Sequence, residues 1–589
     1  MATTNSPRPS RGRYYIASLV LIAGLAAIGW VYADRYHTNE LLAADPPKKS
    51  EPQELFTHWP TKGKPEMVIV VTGQTNGYIQ KCGCSNPQKG GLDRRYNFME
   101  SLRAKGWEVV GLDLGDVMKP LDYTPTFQQT LSKYECSMQS MKLMGYQGVG
   151  VGVQELTAQL LNPLAKYSAQ KGNETPKVHF ANIDNRDEFP NANGGSALVE
   201  SDIITAKTGL NIGVVGIVGA EIQTANPDNS VKFSPRPGPV LNQVLKGWAK
   251  AKNVPDLNVL MYNGPLDWKD PRGVKADAES IAAAHPQFHV VICLSNDAEP
   301  PNMPKKANND NTIIVQVGHK GQNVGVIGVY KIGGAIQLFY QRVAITDEFD
   351  TPAGKEADHP VLKTLQDYSN TVRDNDYLSD MRMRKKDHTS QILFKNAAYV
   401  GDGQCVACHQ AEHAAWFNSK HAGAYKALET SVKPTGRQFD GECIICHTVG
   451  YDYKTGFVND KVTKHLMNVQ CESCHGPGNL HVDEEQANLK LKKPTSKYLA
   501  MLSPWKAGNP NAKLPSVQKF AAMAAEKDTN KQYAMLDPVE QPVYQGVIAT
   551  CAKCHDPEND PHFDLINYWK NVVHTGLVKK PVKPVVNQK

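Results

Sequence analysis

Eight of the twelve cysteines in this 589-residue chain occur in four copies of one short motif. In each copy two residues separate the cysteines, and a histidine directly follows the second cysteine. The copies are Cys405-Val-Ala-Cys408-His409, Cys443-Ile-Ile-Cys446-His447, Cys471-Glu-Ser-Cys474-His475 and Cys551-Ala-Lys-Cys554-His555. Two thiols at this spacing can add to the vinyl groups of one heme, and the adjacent histidine can bind the iron as proximal ligand. Zinc ribbons and redox dithiols require no histidine at that position. The sequence therefore predicts four covalently attached heme c groups.

The composition sets bounds on the rest of the chain. Hydrophobic residues make up 41% and charged residues 21%, which excludes a disordered chain and a polytopic membrane protein. The length predicts at least two folded units. The formal net charge is +6. Four hemes, each with a net charge of about −1 when ferric and about −2 when ferrous, would bring it to between about +2 and −2, so overall charge does not favour steering of an acidic partner. No nucleic-acid partner is predicted.

The N-terminal region contains one apolar stretch that is long enough to cross a bilayer. Arg11 and Arg13 precede the uncharged run from Tyr14 to Ala33, and Asp34 ends it. The positive flank predicts a cytoplasmic N-terminus, with the bulk of the chain in the periplasm or another extracytoplasmic space. A cleaved signal peptide ending near Ala33 is the alternative. We favour one uncleaved N-terminal transmembrane helix in a bacterial cytoplasmic membrane.

From Met67 to Ile345, short β-rich runs alternate with helical stretches. The predicted strands include Met67–Thr72, the predicted helices include Phe127–Met144 and Glu155–Gln170, and the segment from Asn323 to Ile345 is predicted to form two paired antiparallel strands. This order predicts an α/β sandwich. From Ala397 onward the strand signals end, and a mainly α, loop-rich multiheme cytochrome c domain is predicted, with hemes replacing much of the side-chain core. The predicted segments are a cytoplasmic stub and anchor (1–37), a spacer (38–65), the α/β domain (66–345), a linker (346–396), the heme domain (397–577) and a basic tail (578–589).

The heme domain resembles the tetraheme cytochrome c family of nitrifying bacteria that accepts electrons from hydroxylamine oxidoreductase. The shared motifs include Tyr399-Val-Gly, Trp416-Phe-Asn-Ser-Lys-His421-Ala, and Val469-Gln-Cys-Glu-Ser-Cys-His-Gly-Pro-Gly with His481 following, as well as the last heme motif with His574 after it. The resemblance implies closely spaced heme pairs, two histidines on most irons, and one iron that can keep an open position. It implies His421, His481 and His574 as distal ligands.

The α/β domain resembles the metallophosphoesterase domain of the periplasmic nucleotidase family, which implies a four-layer sandwich. The shared segments include Thr72-Gly-Gln-Thr-Asn-Gly and Leu112-Asp-Leu-Gly-Asp116. The family's metal ligands are largely replaced. The amides and other neutral side chains at these positions cannot hold two divalent ions, so the resemblance implies a domain that has lost hydrolysis. Gln74, Asn76, Gln154, Asn263 and Ser295 stand at ligand positions, and only Asp116 matches.

Four cysteines lie outside the heme motifs: Cys82, Cys84, Cys136 and Cys293. Cys82 and Cys84 follow the first predicted strand, and Cys293 ends a later one, which places these three at the ligand-binding edge of the sheet. Two interpretations stay open. The thiolates hold a soft metal or an iron–sulfur centre, or they form structural disulfides.

The function that these features favour is electron transfer by a membrane-tethered, extracytoplasmic tetraheme cytochrome, acting between a redox-protein donor and acceptor in respiration. Two alternatives remain. One is a heme-based oxidoreductase that acts on a small nitrogen or sulfur compound at a five-coordinate heme. The other is a nucleotidase or phosphoesterase that carries a cytochrome domain.

Overall fold

The computed structural model describes residues 50–574, apart from 82–87, 122–125, 235, 271–272, 274, 381–384, 431–435, 492–495, 507–511, 557–558, 561 and 570–571. Within these ranges no helix is both long and apolar enough to cross a membrane. The predicted span from Tyr14 to Ala33 lies outside the described residues.

Two β-sheets form the N-terminal half. The strands are β1 (Met67–Thr72), β2 (Val109–Asp113), β3 (Tyr146–Gly150), β4 (Lys177–His179), β5 (Leu198–Val199), β6 (Ser201–Thr205), β7 (Asn211–Val218), β8 (Leu257–Asn263), β9 (Val290–Cys293), β10 (Lys305–Ala307), β11 (Thr312–Gln316), β12 (Asn323–Ile332) and β13 (Ala335–Ala344). The first sheet has the order β13-β12-β1-β2-β3-β4-β5, and the second has the order β10-β11-β9-β8-β7-β6. Strands β1 to β5 run parallel, whereas β12 and β13 pair antiparallel, as the sequence predicts.

The faces of the strands explain why two sheets stack. In β1, Ile69 contributes to the core between the sheets, while its neighbours Val68 and Val70 contribute to a core on the outer face of the first sheet. In β8, Val259 faces the shared core and Leu260 faces a third core on the outer face of the second sheet. Each buried strand is therefore apolar on both faces, as expected of parallel strands covered by helices.

The helices of this half are α1 (Leu92–Ala104), α2 (Phe127–Met144), α3 (Val153–Thr157), α4 (Leu161–Lys166), α5 (Ala220–Ala225), α6 (Pro237–Trp248) and α7 (Ala278–Ala284). Helices α1 and α2 pack in the first outer core, and α6 and α7 pack in the third core. The predicted α/β sandwich is therefore confirmed, with helix, sheet, sheet and helix as successive layers.

The predicted linker contains a helix that packs on the sandwich. Helix α8 (Pro360–Asp374) buries Val361, Leu365 and Tyr368 in the same core as α2. The short helices α9 (Tyr377–Asp380) and α10 (Thr389–Leu393) follow it. Helix α8 is therefore folded against the α/β domain, whereas Leu378 of α9 packs in a core of the heme half.

The heme half, residues 397–574, consists of short helices and loops. Its helices are α11 (Asp402–Cys405), α12 (Gln410–Phe417), α13 (Ala424–Glu429), α14 (Gly441–His447), α15 (Cys471–His475), α16 (Asn479–Leu491), α17 (Val517–Ala525), α18 (Thr529–Ala534), α19 (Gln541–Cys551) and α20 (Leu565–Trp569). Among its described residues there are isolated β-bridges but no strand. Two small apolar cores, around Tyr451 and around Phe520, hold these helices together.

Candidate functional site

Each of the four motifs lies on a helix or at its end, in helices α11, α14, α15 and α19. The His409 N–H donates to the Cys405 carbonyl at 3.0 Å, and the His555 N–H donates to the Cys551 carbonyl at 2.9 Å. One helical turn therefore brings the first cysteine, the second cysteine and the histidine to the same side. None of the described cysteines forms a disulfide, so the motif cysteines are available for thioether bonds.

Three of the four proximal histidines have a hydrogen-bond acceptor at Nδ1. His447 Nδ1 lies 2.5 Å from the Ala424 carbonyl oxygen, and His475 Nδ1 lies 2.7 Å from that of Leu502. His555 Nδ1 lies 2.8 Å from Asp560 Oδ2. A histidine that binds a metal characteristically donates its other ring N–H in this way. These rings therefore leave Nε2 for iron.

Three histidine rings face proximal histidines across gaps of nearly equal width. The ring centroids of His409 and His481 are 6.4 Å apart, those of His421 and His555 are 6.2 Å apart, and those of His475 and His574 are 6.0 Å apart. An imidazole nitrogen lies about 2 Å from a bound metal, so two rings on opposite sides of one iron have centroids roughly 6 Å apart. Each of the three predicted distal ligands thus faces the histidine of a heme motif, and its role as an iron ligand stays a prediction.

The burial of four histidines, and one buried ring nitrogen without a hydrogen-bond partner, are consistent with iron ligation by these residues. Burial is the largest cause that lowers the pKa of His421, His447, His475 and His481, which favours the neutral form that binds metal. His481 Nδ1 is buried without a hydrogen-bond partner among the described residues. The residues present therefore fit heme c.

His447 differs from the other three motif histidines in what lies opposite its ring. Among the described residues no histidine ring forms a facing pair with it. The structure therefore identifies the motif of Cys443 and Cys446 as the one that lacks an evident distal histidine.

Contacts between motif cysteines group the four motifs in space. The neighbouring Cys471 thiol raises the pKa of Cys405, and the neighbouring Cys446 thiol lowers the pKa of Cys554, so the two thiols of each pair lie close together. Cys474 lies within electrostatic reach of Cys551 and Cys554. The first motif therefore lies beside the third, and the second beside the fourth, with the third and fourth adjacent in the middle.

Sequence reasoning missed Asp560, which accepts from His555. Asp560 is buried, and the Tyr568 hydroxyl lies 3.3 Å from its other carboxylate oxygen. A carboxylate on Nδ1 increases the electron density of the imidazole that would bind iron. The signal available was an acidic residue shortly after the last motif, but such residues are common on loops.

The edge of the sandwich that carries ligands in the nucleotidase family is closed by internal hydrogen bonds. Gln74 Nε2 donates to the Ser295 carbonyl at 3.1 Å, and the Ser295 N–H donates to Gln74 Oε1 at 3.0 Å. His319 Nε2 lies 2.5 Å from the same carbonyl oxygen. Gln74 and Asn76 keep positive φ angles of 48° and 50°, a conformation uncommon outside glycine. The side chains of Gln74 and His319 at this edge are therefore engaged in hydrogen bonds within the protein.

Asp116 is buried at this edge and also has a positive φ of 54°. Its Oδ1 accepts from the Gln154 N–H at 2.9 Å. Burial first, and then the nearby Glu155 carboxylate, raise the pKa of Asp116 to about 7. Asn263 Nδ2 donates to the Leu114 carbonyl instead of supplying a ligand. Among the described residues no group of histidine, cysteine and acidic side chains has the arrangement of a metal site.

Cys136 and Cys293 do not share a site. Cys136 lies in the outer core of the first sheet, and Cys293 lies in the outer core of the second sheet, so both sheets separate them. Burial raises the pKa of the Cys136 thiol to about 12 and also raises that of Cys293. Cys82 and Cys84 lie outside the described residues. Cys136 and Cys293 therefore behave as apolar core residues.

Four heme motifs and three facing histidine pairs define a multiheme c-type cytochrome whose heme half is joined to an α/β sandwich. Residues 404–476, which include the first three motifs, match the family described as cytochrome c554 and c-prime. Cytochrome c-554 of Nitrosomonas europaea is 31% identical over 121 residues, covering 18% of this chain and 52% of that protein. The chain thus spans about half the length of this curated relative. The resemblance of the heme half to this family is confirmed.

Solved structures with likeness to the N-terminal half include nucleotidases and phosphoesterases. The 5′-nucleotidase precursor of Thermus thermophilus has a TM-score of 0.41 and 16% identity, with 54% of this chain and 60% of that chain covered. Calcineurin-like phosphoesterase YfkN of Bacillus subtilis has a TM-score of 0.39 and 14% identity, with coverages of 52% and 97%. Because these scores and identities are low, the assignment of the fold rests on its own sheets and helices.

Proposed function

We propose that this protein is a tetraheme electron carrier of the bacterial cell envelope, tethered by its N-terminal apolar segment and acting between two redox proteins. The observation that carries the proposal is the set of three facing histidine pairs. An iron with two histidine ligands has no vacant position for a substrate, so its chemistry is the gain and loss of one electron. The positive residues before Tyr14 support the tether and the extracytoplasmic location.

The cysteine contacts support a defined route for electrons. The motifs follow one another in space in the order second, fourth, third and first. Adjacent thioether bonds hold adjacent porphyrins close together, and the protein's part is to fix their spacing and ligands. The heme of His447 stands at one end of this row, and the heme of His409 stands at the other.

A second candidate function is favoured by the absence of a facing histidine at His447 among the described residues. An open position on that iron would allow a small nitrogen or sulfur compound to bind. The other three hemes would then exchange electrons with that site.

The redox and spin states of the purified protein test these proposals. We expect four one-electron titrations, three hemes with low-spin spectra and one with a high-spin spectrum.

His421→Ala should convert the heme of His555 to high spin, because it removes the ring that faces His555. The matched control is His413→Ala, since His413 Nε2 lies 2.9 Å from Asp402 Oδ2 and the residue faces no proximal histidine. Four low-spin hemes in the parent would exclude the catalytic candidate, and an unchanged spectrum in His421→Ala would contradict the ligand assignment.

The third alternative, phosphoester hydrolysis, has a direct test. We expect the full-length protein to show no turnover of nucleotides or aryl phosphates with manganese, zinc or calcium, because a dinuclear centre needs ligands that Gln74, Gln154 and Asn263 cannot supply. Metal-dependent turnover that Asp116→Ala abolishes would refute this expectation. Turnover that persists in Asp116→Ala would indicate a contaminating hydrolase.

A further inference from the structure

The α/β domain contacts the heme half through a cluster of buried charges. Lys133 of α2 lies 3.0 Å from Asp440 Oδ2 and also pairs with Glu442. Lys119, from the loop after β2, forms a second ion pair with Glu442. Lys119, Lys133 and Asp440 are buried. We call these four side chains the interdomain charge cluster.

The two acidic members of the cluster begin the helix that carries the second heme motif. Asp440 is the N-cap of α14, and its Oδ1 accepts from the Glu442 N–H at 3.0 Å. Glu442 directly precedes Cys443, and α14 ends at His447. The lysines of the α/β domain therefore hold one end of a single short helix, and the proximal histidine without a facing partner lies at its other end.

Further contacts hold α14 and the segment before it against the α/β domain. The Arg437 Nε donates to Gln80 Oε1 at 2.8 Å, which joins the segment before α14 to the loop after β1. Lys119 Nζ lies 4.5 Å from the Tyr78 ring centroid. The Tyr368 hydroxyl lies 3.4 Å from Asp440 Oδ2, so α8 closes the cluster from a third side. The loops beside the former metal edge thus form the surface on which α14 rests.

The cluster is electrically balanced, and three of its four side chains are buried. Two lysines from one domain meet two carboxylates from the other. Burial would lower the pKa of Lys133, but Asp440 and Glu442 raise it well above its ordinary value. Burial would raise the pKa of Glu442, but Lys133 and Lys119 hold it below its ordinary value. Lys133 and Glu442 are therefore charged near neutral pH.

We propose that the α/β domain acts as a positioning domain for the heme anchored at Cys443 and Cys446, and that Lys119 and Lys133 set the reduction potential of that heme through α14. The inference rests on the proposed function, because it requires a heme at this motif. It gives the sandwich a role that needs no metal and no hydrolysis.

The physical basis is the low dielectric of the cluster. Reduction adds one electron from the redox donor to the ferric iron, which becomes ferrous, and no other bond changes. A positive charge near the iron favours that electron, and a negative charge disfavours it. Since Lys119, Lys133 and Asp440 are buried, their charges are screened less than surface charges.

The test uses the full-length protein with its hemes. Lys119→Met removes one cation and is expected to lower the ferrous-to-ferric ratio of the high-spin heme about three- to tenfold at a fixed ambient potential, where tenfold corresponds to about 59 mV. Glu442→Gln removes one anion and should raise the same ratio. In the double variant Lys119→Met/Glu442→Gln the ferrous-to-ferric ratio should return towards that of the parent protein. In Lys119→Arg the ratio should equal that of the parent protein, because the positive charge is kept. Lys177→Met, which breaks the Lys177–Asp202 pair within the α/β domain, is the matched control.

Opposite shifts for the two single variants, confined to one heme, support the inference, because a general loss of structure would move several hemes in the same direction. Shifts of the same sign, or shifts that also appear in Lys177→Met, would overturn it. Unchanged potentials in both single variants would also overturn it. If the inference fails but the parent protein has four redox-active hemes, the proposed function is still supported. If the parent protein carries no heme at Cys443, both the inference and the proposed function are refuted.

Discussion

Full-length protein expressed with a c-type heme attachment system is expected to carry four covalent hemes, and the Cys443→Ala/Cys446→Ala variant is expected to carry three. Each motif brings two thiols and one histidine to one side of a helical turn, and the described thiols form no disulfides that would compete. Intact mass and the absorbance of the denatured hemes measure the number directly.

The matched control for this experiment is Cys136→Ala. Cys136 forms no disulfide, is buried in the outer core of the first sheet and belongs to none of the four heme motifs. Its loss should leave four hemes. A parent mass that corresponds to any other number of hemes would contradict the assignment, as would retention of four hemes in the double variant.

Lys133→Met is expected to lower the free energy of unfolding by about 3–5 kcal/mol, because it leaves the carboxylates of Asp440 and Glu442 in a buried site with one partner removed. Denaturant unfolding of the full-length protein, followed by far-ultraviolet circular dichroism, measures the loss. Lys177→Met breaks a half-exposed ion pair of the same domain and should cost less than about 1 kcal/mol. Equal losses in the two variants would contradict the importance of burial.

The pH dependence of this stability has a definite sign. The folded-state pKa of Glu442 is below its ordinary value of 4.5, so its contribution is present above that value and is lost as the pH falls through the folded-state pKa. The folded-state pKa of Lys133 is above its ordinary value of 10.5, so its contribution is present below that value and is lost at higher pH. The difference in stability between Lys133→Met and the parent should therefore be largest between these limits and should shrink in acid.

The sequence by itself determined which residues are predicted to attach heme, because thioether chemistry depends on a spacing of a few residues along one helical turn. It also predicted β1 from Met67 to Thr72, the helix from Phe127 to Met144 and the antiparallel pair at the end of the sandwich, where local apolar patterns are strong. The short strands β5, β6 and β10 were missed, because two to five residues at the edge of a sheet carry little periodicity. The predicted helix from Glu155 to Gln170 forms two short helices instead, α3 and α4.

Only the tertiary structure decided which histidines face each other and what the α/β domain touches. His421 follows the first motif along the chain but faces the proximal histidine of the fourth, and His481 follows the third motif but faces that of the first. Lys133 meets Asp440 although more than three hundred residues separate them. Pairings of this kind depend on how helices and sheets pack, and packing is a property of the whole chain that no local spacing encodes.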